Sequence, residues 1–86
     1  MNKIWSDDAW DDYEYWQNQD RKTLKKINSL LKDIERNGVN KGIGKPELLK
    51  YEKAWSREID AFNRLIYDII GGSLCIYSCR GHYEEK

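Results

Sequence analysis

The chain has 86 residues, 40% of them hydrophobic and 35% charged, and its formal net charge is zero. That length allows one small domain, and the composition suits a soluble globular chain rather than a disordered one. No apolar run is long enough to span a membrane, and neutrality argues against a general binder of nucleic acid.

A chain this short buries roughly 60–65% of its unfolded surface, so a bound partner can add much of its working stability. Lys3 is followed by Trp5, Ser6, Asp7 and Asp8 rather than by an apolar run. No signal peptide is expected, and the cytoplasm is the expected address. Cys75 and Cys79 do not make a disulfide framework. On one strand they stand roughly 13 Å apart, beyond the roughly 7 Å limit for a bridge. They read as free thiols.

Charge is unevenly placed. Residues 1–20 sum to −5, residues 21–57 to +7 and residues 58–86 to −2. A basic middle can carry a local polyanion site, or it can be two solvated helix faces.

The elements follow in order. Residues 3–5 form a short apolar start, and Ser6 is a good helix N-cap with Asp7 and Asp8 in the first turn behind it. Ala9, Tyr13 and Trp16 recur at helical spacing, so a first helix runs to about Gln19. Trp10, Tyr13 and Trp16 read as core under the helices. Asp20 opens a second helix whose Leu24, Ile27, Leu31 and Ile34 form an apolar stripe widened by Leu30. Asn37-Gly38 stops it, and so short a join predicts an antiparallel hairpin. Gly38, Gly42, Gly44 and Pro46 make residues 38–47 a loop, with Pro46 biasing Lys45 toward an extended backbone. Strands follow at Trp55–Ile59, Arg64–Ile70 and Ser73–Arg80, the last two joined by a Gly71-Gly72 turn. The reading is β-α-α-β-β-β: an α+β domain, residues 1–86, with a small antiparallel sheet and the helical hairpin packed on one face.

Few residues could carry chemistry. His82, the lone histidine, has a side chain suited to proton transfer. A zinc site from Cys75, Cys79 and His82 fails because a strand holds the sulfurs too far apart to converge. Glu47 ends the Gly-rich loop between Lys45 and Lys50 and is either a solvated acid or a carboxylate near a phosphate site. Gly42-x-Gly44-Lys45-Pro46 lacks the spacing and hydroxyl of a P-loop. Arg64 lies among Leu65, Ile66 and Tyr67, where an arginine needs a partner. Glu47 or Asp68 could supply one, or Arg64 could face a cleft and hold a phosphate. Arg57 and Arg80 are further candidates for a basic sheet surface.

Taken together, Trp5-Ser6, Ala9 to Tyr13, Tyr15-Trp16, Lys25 to Asn28, Gly44-Lys45-Pro46-Glu47, Leu49-Lys50, Trp55-Ser56-Arg57, Arg64 to Tyr67 and His82-Tyr83 resemble the YoeB/Txe toxins of the RelE superfamily over nearly the whole chain. The resemblance implies the RelE-like fold and a ribosome-dependent mRNA endonuclease that cuts in the A-site codon and needs no cofactor or metal. It implies a cognate YefM/Axe-like antitoxin, a homodimer, and operator DNA bound only through the antitoxin complex. Carried over by motif, Glu47 is the general base, His82 the acid, Arg64 the phosphate stabiliser and Tyr83 the group that orients the nucleotide. Lys45, Lys50, Arg57 and Arg80 are the supporting phosphate contacts. Three departures stand out, the first a segment between Lys50 and Trp55 that is shorter than in the relatives and alters the loop beside Glu47. Glu58 occupies the place where many relatives carry a second arginine, and Glu84 to Lys86 extend past the usual His-Tyr ending, where two acids favour protonated His82. The contrasting reading is a weakened toxin or a ParE-like non-nuclease that acts by binding protein, since fold does not fix function.

Overall fold

The computed structural model describes residues 1–81. The order is β1 (Lys3–Trp5), α1 (Asp7–Gln19), α2 (Arg21–Asn37), β2 (Glu47–Leu48), β3 (Trp55–Glu58), β4 (Arg64–Ile70) and β5 (Ser73–Ser78). Ser6 caps α1 by accepting from Ala9 N–H at 3.0 Å. Asp20 is the single joint between the helices. Its N–H donates to the Trp16 carbonyl, and its carboxylate accepts from Lys22 N–H, Thr23 N–H and the Thr23 hydroxyl. One residue thus satisfies orphan groups at the end of one helix and the start of the next, which is why the hairpin turns so tightly.

The five strands form one sheet in the order β1-β5-β4-β3-β2. It is mixed rather than antiparallel, because β1 pairs parallel with β5, Ile4 facing Cys75 across the ladder. Glu47–Leu48 adds an edge strand beside β3 where a loop is expected from the sequence. The α2 stripe of Ile27, Leu30, Leu31 and Ile34 buries against Leu65, Tyr67, Leu74 and Ile76, with Ala9 and Trp16 of α1 closing the same core. Both helices lie on one face, and the other face of the sheet stays open.

A β-bulge decides which β5 side chains reach which face. Ile66 pairs with Ser78 while its neighbour Tyr67 pairs with Ile76, so Tyr77 is the extra residue. Strict alternation would put Cys75 and Cys79 on one face. The bulge breaks the alternation, leaving Cys75 half-buried on the open side and Cys79 fully buried against the Ala9 carbonyl. Trp16 Nε1 ties the same corner by donating to the Cys79 carbonyl at 2.9 Å.

Trp10 departs from the expectation of a core residue. It is 45% exposed and stacks on Tyr13 at 5.8 Å while meeting Trp5 edge-on at 5.7 Å. It sits on the flank of α1, off the Ala9–Tyr13–Trp16 stripe, so the sheet does not cover it.

Burial, with the Asp12 charge adding to it, pushes the Cys79 thiol up to about 12. The thiolate is the reactive form. Iodoacetamide at pH 8 should therefore label one thiol, Cys75, in the folded protein and two after denaturation. Rapid labelling of Cys79 in the native state would contradict this packing.

Candidate functional site

Cross-strand register assembles the open face. Glu47 lies opposite Ser56, Ser56 opposite Ile66, and Glu58 opposite Arg64. Directly opposed residues share a face, so Glu47, Ser56, Glu58 and Arg64 all stand on the side away from the helices. Arg64 Nη2 lies 3.5 Å from Glu47 Oε2, and its Nε donates to Ser56 Oγ at 2.5 Å. Lys45 Nζ lies 3.4 Å from Glu58 Oε2. The partner that Arg64 needs is therefore Glu47, not Asp68.

The chain returns to this corner at its end. Arg64 N–H donates to the Gly81 carbonyl at 3.1 Å, and Gly81 N–H donates to Asn63 Oδ1 at 2.8 Å. Asn63 is itself fixed by the Asp60 carboxylate, which caps the β3–β4 turn. His82 and Tyr83 lie outside the described residues. Next along the open face is a shallow hollow lined by Ala54, Ile66, Tyr77, Ser78, Glu52 and Lys53.

Two carboxylates, a guanidinium and an ammonium thus share one exposed patch on a rigid sheet. Such a set can take a proton from a hydroxyl and neutralise a phosphate. Among the described residues, no group of His, Cys, Asp and Glu is arranged to hold a metal ion, and Cys75 and Cys79 face opposite sides of the sheet.

The model of the YoeB-like toxins of bacterial type II toxin–antitoxin systems matches residues 5–83. The chain belongs to that family. It is 48% identical to Toxin YoeB of Escherichia coli K12 over 85 residues, 96% of this chain and all of that protein. Its backbone matches one chain of the heterotetrameric YoeB–YefM complex of Staphylococcus aureus with a TM-score of 0.90 at 46% identity, covering 96% of this chain and 98% of that one. The YoeB dimer of the same organism matches with a TM-score of 0.91 at 45% identity, covering 96% and 98%.

Not every residue taken for a YoeB-like phosphate contact reaches the patch. Arg57 is a correction. It faces the helices, is 0% exposed, and commits every donor internally. Nε donates to Tyr67 Oη at 2.8 Å. Nη1 donates to Asp33 Oδ2 at 2.5 Å and the Ile43 carbonyl at 3.0 Å. Nη2 donates to the Gly38 and Lys41 carbonyls at 2.9 and 2.7 Å. No donor remains for a phosphate. Arg80 is exposed, and its guanidinium lies 3.5 Å from the Tyr15 ring centroid on α1 rather than beside Glu47 and Arg64. Lys50 is exposed and stands 5.3 Å from the Tyr51 ring centroid. Glu47 and Arg64 are in contact, and Lys45 reaches the same patch through Glu58.

Lys45 reverses its backbone expectation. Its φ is +52°, in the left-handed region, despite the following proline. The Gly44 carbonyl is pinned by Glu58 N–H at 2.7 Å, and a Cβ on Gly44 would meet Leu30 Cδ2 at 2.8 Å. The chain must turn sharply there for Glu47 to pair with Ser56.

Spacing alone assigns no role to Ser56 or Asp33. Asp33 does carry a signal: it is an acid at the margin of the α2 stripe, beside Ile34. The Arg57 hydrogen bond holds the Asp33 carboxyl below its ordinary value, with Ile43 N–H and Asn37 adding to the effect against desolvation. A depressed folded value means its stabilisation is whole above the unfolded value near 4 and is lost as pH falls through the lower folded one. Breaking a buried pair costs about 3–5 kcal/mol, a large part of the about 5–15 kcal/mol that holds a domain together. Acid unfolding followed by circular dichroism should be less steep below about pH 4 in Asp33→Asn than in the parent chain. Superimposable acid limbs would remove Asp33 from that role.

Proposed function

We propose that this chain is the toxin of a type II toxin–antitoxin pair, acting in the cytoplasm as a ribosome-dependent mRNA endonuclease. The observation that carries the reading is the contact of Glu47 with Arg64 on the open face, where Gly81 brings the chain to within one residue of His82. The message is cut in the A-site codon. Glu47 takes the proton from a ribose 2′-hydroxyl, and the 2′-oxygen attacks the adjacent phosphorus. The bond to the 5′-oxygen breaks as His82 donates a proton to it, leaving a 2′,3′-cyclic phosphate and a free 5′-hydroxyl. Arg64 neutralises the charge gathering on phosphorus, and Tyr83 orients the nucleotide.

An incoming phosphate competes with Glu47 for Arg64. As it takes the guanidinium it releases the carboxylate to act as base. The Glu47 side chain is 69% exposed, so the burial that strengthens a carboxylate base comes from the docked message and ribosome. Lys45 and Lys50 add phosphate contacts at the rim. Relatives crystallised as a YoeB–YefM complex and as a YoeB dimer support a YefM-like antitoxin and a second copy as partners.

The Lys45–Glu58 ion pair favours a second reading, a catalytically weakened toxin working mainly through its protein partners. Growth after induction without antitoxin separates the two: arrest supports the nuclease, and unimpaired growth the weakened form. Primer extension on a defined message with and without ribosomes should give ribosome-dependent stops at one fixed position in the A-site codon. Folded protein that cuts in neither tube would overturn the nuclease reading.

Glu47→Ala and His82→Ala should each lower the cleavage rate by about 100-fold or more, the usual worth of a general acid or base, while antitoxin binding persists. Full toxicity in either variant would remove that residue from the mechanism. Glu58→Arg should tighten ribosome binding, most visibly at high salt, because it adds a cation beside Lys45. Equal affinity across a salt series would count against that.

A further inference from the structure

We propose that Arg57 is a positioning residue: it locks the glycine-rich loop so that Lys45 and Glu47 meet Glu58 and Arg64 on the open face, and it touches no RNA. The catalytic half of this proposal rests on the ribonuclease reading above; the mechanical half does not.

Residues 38–46 form no helix or strand, so their carbonyls must find partners elsewhere. One side chain supplies three of them. The Arg57 guanidinium takes the carbonyls of Gly38, Lys41 and Ile43, and the Tyr67 hydroxyl, which accepts from Arg57 Nε, donates to the Val39 carbonyl at 2.6 Å. Asp33 closes the ring from α2 by accepting from both Arg57 Nη1 and Ile43 N–H through the same Oδ2.

The loop is wound so tightly on this centre that a Cβ on Gly42 would sit 1.7 Å from Asp33 Oδ2 and 3.0 Å from Arg57 Nη1. Gly42 has a φ of +122°, where L side chains are strained in any case. The wrap delivers Gly44 onto Glu58 N–H, and three residues later Glu47 enters the ladder opposite Ser56. Arg57 stands in β3 between Ser56 and Glu58, which present themselves on the other face. The same strand therefore grips the loop from below and carries its contact points above.

A phosphate contact and a loop clamp give opposite results when the Asp33 charge is removed. If Arg57 met RNA, Asp33→Asn would unmask a cation and tighten ribosome binding. If it is a clamp, the loop loosens, Glu47 and Lys45 are misplaced, and binding does not tighten. The experiment uses the full chain with Asp33→Asn and with Tyr67→Phe, the milder of the two cuts.

Amide exchange at Ile43 and Glu58 should speed up about tenfold in both variants, with the core strands unaffected. Single-turnover cleavage on programmed ribosomes should slow by about 10- to 100-fold, the scale of a small misplacement of a reacting group. The half-saturating ribosome concentration should not fall, and the salt slope should not steepen. Ile27→Val, a mild cut in the core that removes none of the loop's hydrogen bonds, should keep the parental cleavage rate, which separates positioning from loss of stability.

Unchanged exchange at Ile43 and Glu58 in both variants would overturn the clamp. Tighter ribosome binding by Asp33→Asn with cutting intact would return Arg57 to the phosphate contacts. A parent chain that cuts nothing would overturn the ribonuclease reading and the catalytic half of this proposal, while exchange at the two amides still decides the mechanical half.

Discussion

The buried guanidinium of Arg57 is the constraint on which the working face depends. Burying a charge is costly unless its hydrogen bonds are complete, and here all of its donors are taken. Its partners come from α2, from the loop that follows α2 and from β4. Secondary structure alone would leave that loop unattached between helix and sheet. One cation makes it part of the core, and the glycines are needed because anything larger than hydrogen at Gly42 would occupy the space of the ion pair.

The two faces of the sheet divide the labour. Toward the helices, Leu65, Tyr67, Leu74 and Ile76 bury completely and fix the register. Once that register is set, the opposite face has no freedom: Glu47, Ser56, Glu58 and Arg64 are placed by pairing they do not themselves drive. The bulge at Tyr77 adjusts the pattern at the far edge, sending Cys79 inward and returning the chain to the start of β4. A site built this way rests on strands rather than on a loose loop, and its least regular part, the segment before Glu47, is the part Arg57 holds.

Local signals carried most of the architecture. Ser6, Asp20 and Asn37-Gly38 bracket two helices within a residue of where they lie, and the bounds of β4 and the Gly71-Gly72 turn agree with the reading. The features that were not legible depend on partners distant in sequence. A three-residue β1 gives no hint that it will pair parallel with a strand some 70 residues later, and a two-residue β2 is too short to show a period. Alternation separates Arg64 from its neighbours but does not say that Arg57, on the opposite parity, would find Asp33 and three carbonyls within reach. Trp10 is a failure of a different kind. Helical spacing assigns flanks, and whether a flank is covered depends on the width of the sheet beneath it. The roles of His82 and Tyr83 rest on motif alone, since both lie outside the described residues.

Under the proposed function, the charges on the open face explain how a neutral chain can hold a polyanion site without adhering to every polyanion. Arg64 is matched by Glu47 and Lys45 by Glu58, so the patch presents nearly balanced charge to a distant approach. Exposed pairs of this kind are worth only about 0–1 kcal/mol. A phosphate held in place by other contacts exchanges for Glu47 at little cost, whereas a free polyanion gains almost nothing by trying. On this account, the carboxylate proposed as the base also masks the cation proposed to bind the substrate, and the two are released together. Glu58 extends the same masking to Lys45. If the proposed function holds, that second masked cation makes the chain need more help from whatever surface presents the message.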